Sequence, residues 1–599
     1  VAGLLVLVLL EFRVFLFQGR VFFERDIHLA WLPQIEGFVR AVAAGVWPLW
    51  DPVPGFGQPL LADPSAQLLY PPTWLNLLMP PWAYYPLFAA SHVFFSAVCL
   101  YQLARRWGLA PLGAFTAAVI WTFSGPFVSL VDLWHHFAGA AWMPAVILAF
   151  DRAAERRDRF AVAGAGAALA LQVLAGSADQ VVLTLAVAGA ALAARSLAEG
   201  RARGRAALPA VRAMWVASGL AVILAVGLTA SLWLPALDVA RRSARSQLPP
   251  EVRSYWSVHP LGMAEVVLPG PWRLDGLSEA LRQKLFEGRE PFLDTLYLGL
   301  PALALAVLGA WAPHPRRGVL VACFAAAAAV ALGRHAPVHD WLVTLLPPLG
   351  ILRYPVKVTI VMALAWALLA GLGLDHLRGR WGPVSRRAVP AASAAVLVLA
   401  VGAAALAWGA GFRPAALAEL LLEAEPARFA GEALAPLRAR MAVAAAGGLL
   451  AVGARLLGAE RRFALAWAAV AMAELSWQHR NPSPAAPREF YAYRPEALRF
   501  LAPPGRGRAF IHDYADTAKN LRTLGRPHAF RSRGSLDGAS DDAASALSMQ
   551  SCLVPESAGR WAVWQGFGND YRGLFPKAMV QLGRALRDLE DTPLPARCL

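Results

Sequence analysis

The chain has 599 residues, 57% of them hydrophobic and only 16% charged, with a mean hydropathy of +0.46. A soluble protein would carry about 25% charged residues, so the deficit, together with repeated apolar runs of about 20 residues, excludes an ordinary soluble enzyme and indicates a polytopic membrane protein. The net charge of +16 comes from arginines in short clusters between apolar runs, a pattern of membrane orientation and not of a nucleic-acid face.

The chain opens at Val1, already inside an apolar run, as a segment trimmed at its N-terminus would. Glu11 and Arg13 within that run, with no small-residue cleavage site after it, argue against a signal peptide. About 13 apolar segments follow the spanning criterion. They are 1–18, 82–103, 111–131, 137–150, 160–176, 180–195, 213–235, 295–312, 318–333, 356–374, 388–411, 438–457 and 463–478. The expected fold is therefore an all-α polytopic membrane protein. Residues 1–478 form its transmembrane domain, and 479–599 a small C-terminal domain whose mixed composition allows an α/β fold.

Basic residues fall in alternate loops: 104–110, 151–159, 196–212, 313–317, 375–387 and 458–462. The short loops 132–136 and 177–179 carry no Lys or Arg. Six concordant loops place the N-terminus in the cytoplasm and make 19–81, 236–294, 334–355 and the tail extracytoplasmic. Of the four cysteines, Cys99 and Cys323 lie in apolar runs, and Cys552 and Cys598 lie in the tail, where pairing and two unpaired thiols are equally open.

Candidate chemistry gathers on the outer loops, in chain order. Asp26, with Glu24 and His28, follows the first apolar run, and a carboxylate there can deprotonate an acceptor hydroxyl. The alternative is an interfacial acid paired with Arg25. The loop 45–81 brings Trp47, Trp50, Phe56, Tyr70 and Trp74, which suit sugar stacking or interface anchoring. Asp132, His135 and His136 can position a phosphate or a divalent metal, or simply end two helices. Asp26 and Asp132 are the metal candidates. Gly164 and Gly166 suit close helix packing. Tyr255 and Trp256 open a stretch that reads as an ordered lid. In Arg353-Tyr354-Pro355-Val356-Lys357, Pro355 suits a first helical turn and Tyr354 should be extended. That arrangement aims Arg353 and Lys357 at the headgroup level, where an arginine can grip a phosphate or anchor on lipid.

Several of these stretches together resemble the bacterial YfhO-type membrane proteins, which are similar to the GT-C class of polyprenyl-phosphate-sugar glycosyltransferases. They are Phe22-Phe-Glu-Arg-Asp26, Gly45-Val-Trp-Pro48-Leu-Trp-Asp-Pro52, Gly57-Gln-Pro-Leu-Leu-Ala-Asp-Pro64, Tyr70-Pro-Pro72, Tyr255-Trp-Ser-Val-His-Pro260, Leu296-Tyr-Leu-Gly299, Leu352-Arg-Tyr-Pro-Val-Lys357 and Gly371-Leu-Gly-Leu-Asp375. The resemblance implies a GT-C-like helical fold with Asp26 as the key acid, Asp132 as a second-loop acid and Arg353 as the phosphate-facing cation. It departs at Gly176-Ser177-Ala178-Asp179, where a Gly-His-Pro or Gly-Glu-Pro turn is expected and Asp179 is the available substitute.

The expected function is inverting sugar transfer from a polyprenyl phosphate to an envelope glycan or teichoic acid, at the outer face of a bacterial cytoplasmic membrane. Arg353 and Lys357 would hold the phosphate, and Asp132, His135, His136, Tyr255 and Trp256 the substrate. The competing readings are a transporter or flippase of a lipid-linked substrate and a non-catalytic envelope scaffold.

Overall fold

The computed structural model describes residues 1–270, 277–381, 388–421, 434–454, 460–481, 483–501, 507–511, 540–554, 556–567, 570 and 573–589. Cys598, and with it the Cys552–Cys598 question, lies outside them.

The chain is all-α. Each predicted apolar segment overlaps a helix. Among the described residues, six helical segments are long and apolar enough to cross a membrane, including Pro81–Arg106, Trp134–Arg156, Pro355–Leu377 and Ala388–Phe412. Five shorter apolar helices, such as Pro111–Thr122 and Leu300–Trp311, pack among them. Three predicted segments are broken. The first divides into Ala2–Glu11 and Arg13–Phe17, and 213–235 divides at Thr229 into Leu208–Leu228 and Ala230–Arg242. The segment 111–131 divides into Pro111–Thr122 and Gly125–Ser129. Pro126 cannot donate to the helix, and the Gly125 amide donates instead to the Tyr297 carbonyl at 2.8 Å. The segment 137–150 is longer than its apolar run, at 23 residues.

The helix Thr359–Leu377 is buried along its whole length, as a helix apolar on every side should be. Its glycines set the approach of its neighbours. A Cβ at Gly373 would overlap the Leu305 carbonyl, and one at Gly309 the Leu369 carbonyl. Small residues thus let Leu300–Trp311 and Thr359–Leu377 pack backbone on backbone. Gly166 packs in a similar way on Leu224 and the Ala221 carbonyl, whereas Gly164 faces open space.

Two ends of the bundle are chemically distinct. At one, Asp151 gathers Arg106 (2.5 Å) from the end of Pro81–Arg106, Arg316 (2.9 Å) from the start of Arg317–Ala331 and Arg195 (4.0 Å) from the helix Ala178–Arg203. At the other lie the long loops and the tail. The tail builds no α/β unit among the described residues. Its strand Ala485–Pro487 pairs antiparallel with Arg20–Phe22, and the remainder is short helices, including Asp541–Ser551 and Lys577–Asp588. The tail winds onto the first long loop. Arg40 donates to the Gly559 and Arg560 carbonyls at 2.5 and 2.8 Å, and Arg560 pairs with Glu36 at 3.3 Å. Arg508 donates to the Pro52 and Gly55 carbonyls at 3.1 and 2.6 Å.

Gly309→Ala should lower stability by about 1–3 kcal/mol through overpacking, read as thermal unfolding in detergent. Gly164→Ala, placed in open space, should be neutral or gain up to about 1 kcal/mol of helix propensity. Equal effects of the two would contradict the close contact.

Candidate functional site

The site grows from three helix starts. Ser177 caps the helix Ala178–Arg203, its hydroxyl accepting from the Gln180 amide. Gly176, at φ +93°, makes the preceding turn, where a side chain would run into the Pro64 carbonyl. This turn brings Asp179 to Lys357, whose Nζ donates to Asp179 Oδ2 at 2.8 Å. On the other side, His136 Nδ1 lies 2.8 Å from the Ser177 hydroxyl and 4.0 Å from Asp179. Lys357 is buried, at 6% exposure. At the first turn of a buried helix, this lysine is held by an internal carboxylate.

Above this pair sits an aromatic platform. Tyr354 meets Trp256 at 4.4 Å and Phe292 at 5.4 Å, and Trp256 meets Phe292 at 5.5 Å. Lys357 Nζ lies 4.9 Å from the Tyr354 ring and 5.4 Å from that of Phe292. Tyr354 is not extended, as the proline rule predicts; its φ of 72° and ψ of 86° are left-handed. Packing against Trp256 and a hydrogen bond donated by the Tyr354 amide to the Arg253 carbonyl at 3.0 Å override the local preference. Arg25 (φ 51°) and Trp256 (φ 54°) are also left-handed, and all three surround Phe292. Each such conformation costs about 1–3 kcal/mol, and strain of this kind concentrates at functional sites. Pro355 opens the helical turn, as expected. Tyr255 stacks under Arg289 at 3.5 Å, so it is engaged within the lid segment.

Asp26 follows Arg25 in the turn after the strand Arg20–Phe22. Arg25 does not pair with it. The Arg25 guanidinium donates to the Phe292 carbonyl at 2.7 Å and lies 3.9 Å from Asp294. Among the described residues Asp26 has no hydrogen bond or ion pair, and burial lifts its carboxyl above the usual range against the pull of Arg25. Its neighbour His28 is structural: Nδ1 lies 2.5 Å from the Phe23 carbonyl, and burial pushes the imidazole down to about 4. Asp132 is fully buried, with neither carboxyl oxygen in hydrogen-bond geometry. Burial and the nearby Asp294 hold it well above the carboxylate range, with Ser483 and Arg25 opposing. No group of three His, Cys, Asp or Glu able to hold a metal is found among the described residues.

Arg353 is half-buried and stacks on Tyr354 at 4.9 Å. With Arg245 and Arg584 it lines a cleft of about 270 Å³. Arg245, one of the basic residues of the outer segment 236–294, is brought beside Arg353 only by the fold. Arg25, next to Asp26, and Arg353 border the packed rings of Phe292 and Tyr354. In the loop 45–81, Tyr70 is buried and bonds His92 and Trp142 at 2.6 and 2.8 Å, while Trp47 and Trp50 are exposed. Tyr70 is thus a packing residue.

No family model and no curated protein matches the chain. Among solved structures, it is similar to ArnT from Cupriavidus metallidurans bound to undecaprenyl phosphate (14% identity, 94% of this chain, 89% of that chain, TM-score 0.42). It is also similar to apo ArnT (16% identity, 85% and 81% covered, TM-score 0.40) and to arabinofuranosyltransferase AftD from Mycobacteria (18% identity, 66% and 26% covered, TM-score 0.40). These values describe a loose likeness in the course of the chain, and the functional reading rests on the site.

Lys357→Met should destabilise the chain by about 3–5 kcal/mol, because it strands Asp179 without its cation. The double variant Lys357→Met, Asp179→Leu should recover most of that loss in thermal unfolding. Failure to recover would show that the pair is not the source of the effect.

Proposed function

We propose that the chain is an inverting membrane glycosyltransferase that moves a sugar from a polyprenyl-phosphate donor to a cell-envelope acceptor, a glycan or teichoic acid. One observation carries this reading. Asp26, a carboxyl without a partner among the described residues, follows Arg25, whose guanidinium reaches Phe292, and Phe292 packs on Tyr354 beside Arg353, which lines a cleft with Arg245. Such a pairing suits a reaction that removes a proton at one point and releases a phosphate at another.

In this reading Asp26 accepts the proton of the acceptor hydroxyl. The hydroxyl oxygen attacks the anomeric carbon, the bond from that carbon to the phosphate oxygen breaks, and the phosphate leaves with the electron pair. Arg353 and Arg245 stabilise the charge that develops on it. Trp256 and Tyr354 offer ring faces for the sugar. Lys357 and Asp179 position the platform, and His135 and His136 line its base. The basic end around Asp151 suits the cytoplasmic side, which supports a site and a segment 479–599 on the extracytoplasmic face of a bacterial cytoplasmic membrane. There membrane lipids deliver the donor laterally.

Asp26→Asn should lower sugar transfer by about 10²–10⁴-fold, with membrane protein levels unchanged; undiminished transfer from radiolabelled polyprenyl-phosphate sugars would remove the base from the mechanism. The pH dependence has a defined sign. Asp26 must be ionised to act, so transfer should fall with acidification at a pH above the ordinary aspartate value. Because its folded-state affinity for the proton is raised, its contribution to stability is greatest below the unfolded value and is lost as pH rises through the folded one. At neutral pH Asp26→Asn should therefore unfold at the same temperature as the parent or a higher one.

A further inference from the structure

The cleft beside Arg353 is closed by the tail. Its lining comes from the segment after Arg242 (Ala244, Arg245 and Leu248), from Arg353, and from the tail residues Asp570, Gly573, Val580, Gly583 and Arg584. Three observations show that the tail belongs there. Ser243 and Pro576 form an antiparallel bridge, which ties the two segments by backbone. Gly573, at φ +69°, leaves room for Arg245: a Cβ there would lie 3.1 Å from Arg245 Nε and 3.2 Å from its Cγ. Asp570 is occupied in building the turn, its two carboxyl oxygens accepting the Leu574 and Phe575 amides at 2.9 Å each.

The cleft lining is mainly basic. Among the described residues that line it, three guanidiniums accompany the carboxylate of Asp570, and Asp63 and Asp179 also lie within electrostatic reach of Arg245. The volume of about 270 Å³ exceeds that of a phosphate group and leaves the apolar side chains of Leu248 and Val580 at the wall. Arg584 lies on the helix Lys577–Asp588 and is exposed, so its charge is available to an incoming anion. Guanidinium forks suit phosphate oxygens better than any other side chain.

We propose that the tail completes the anion site: Arg584 joins Arg245 and Arg353 around the phosphate or pyrophosphate headgroup of a polyprenyl lipid, and the cleft is assembled only with the tail docked. This deepens the glycosyltransferase reading by giving the donor site a part outside the membrane domain. Sequence reasoning had no access to it, because Arg584 lies more than two hundred residues from either partner.

The test uses the full chain purified in detergent, with thermal unfolding as the readout. The probes are undecaprenyl phosphate, undecaprenyl pyrophosphate, inorganic pyrophosphate, and undecaprenol as the control without phosphate. The phosphorylated lipids should stabilise the parent and undecaprenol should not. Arg584→Gln, an exposed substitution, should weaken apparent affinity for them about tenfold, the loss of one charge-assisted contact. Gly573→Ala should weaken it in the same direction by displacing Arg245. Unchanged affinity in Arg584→Gln, with affinity lost in Arg353→Gln, would overturn the role of the tail and leave the donor reading intact. Lipid binding that depends on Arg584, in a protein that transfers no sugar, would support the anion site and overturn the glycosyltransferase reading. Stabilisation by inorganic pyrophosphate alone, or by none of the probes, would overturn the proposal.

Discussion

The ion pair between Lys357 and Asp179 joins the starts of two helices that are 178 residues apart in sequence. A lysine this deeply buried needs an anion beside it, since desolvation would otherwise cost several kcal/mol. Meeting that need fixes the turn at Gly176 and Ser177 against the turn at Tyr354 and Pro355. His136, bonded to Ser177, brings the start of a third helix to the same point. The aromatic platform rests on this junction, and Arg353 and Trp256 take their places from the platform.

Strain and isolation mark the surface above the junction. Arg25, Trp256 and Tyr354 hold left-handed backbones around a single phenylalanine. None is a glycine, and each is fixed by a contact: the Phe292 carbonyl for Arg25, the Glu290 carbonyl for the Trp256 indole, and the Arg253 carbonyl for the Tyr354 amide. The twist at Arg25 has a chemical consequence. It turns the guanidinium toward Phe292 and Asp294, and it leaves the adjacent Asp26 without the neighbour that would have neutralised it. An acid in that state is destabilised where it stands, a condition typical of groups kept for reaction and not for folding.

Two charge systems at opposite ends of the bundle serve different purposes. Around Asp151, one carboxylate is shared by three arginines from separate helices or helix ends, which closes the basic end. Arg353 and Arg245 line a cleft whose far wall is formed by the tail. The tail is bound to the first long loop through Arg40, Arg508 and Arg560, and to the segment after Arg242 through Ser243 and Pro576. Its one described strand adds to Arg20–Phe22.

Much of this architecture is legible in the sequence. Apolar runs mark the helices because a membrane span must satisfy its backbone within itself. Arginine placement sorts the loops into two groups, and those groups lie at opposite ends. Proline at 355 marks the helix start. Asp26 and Arg353 stand out because polar residues beside apolar runs are few. The fold decided which charges are spoken for. Lys357 is consumed by Asp179, Asp132 is sealed away, Arg25 turns from Asp26, and Arg245 enters beside Arg353. No local pattern encodes these outcomes, because each depends on loops distant in sequence meeting in a low-dielectric space, where a change of partner is worth more than any propensity of the residue itself.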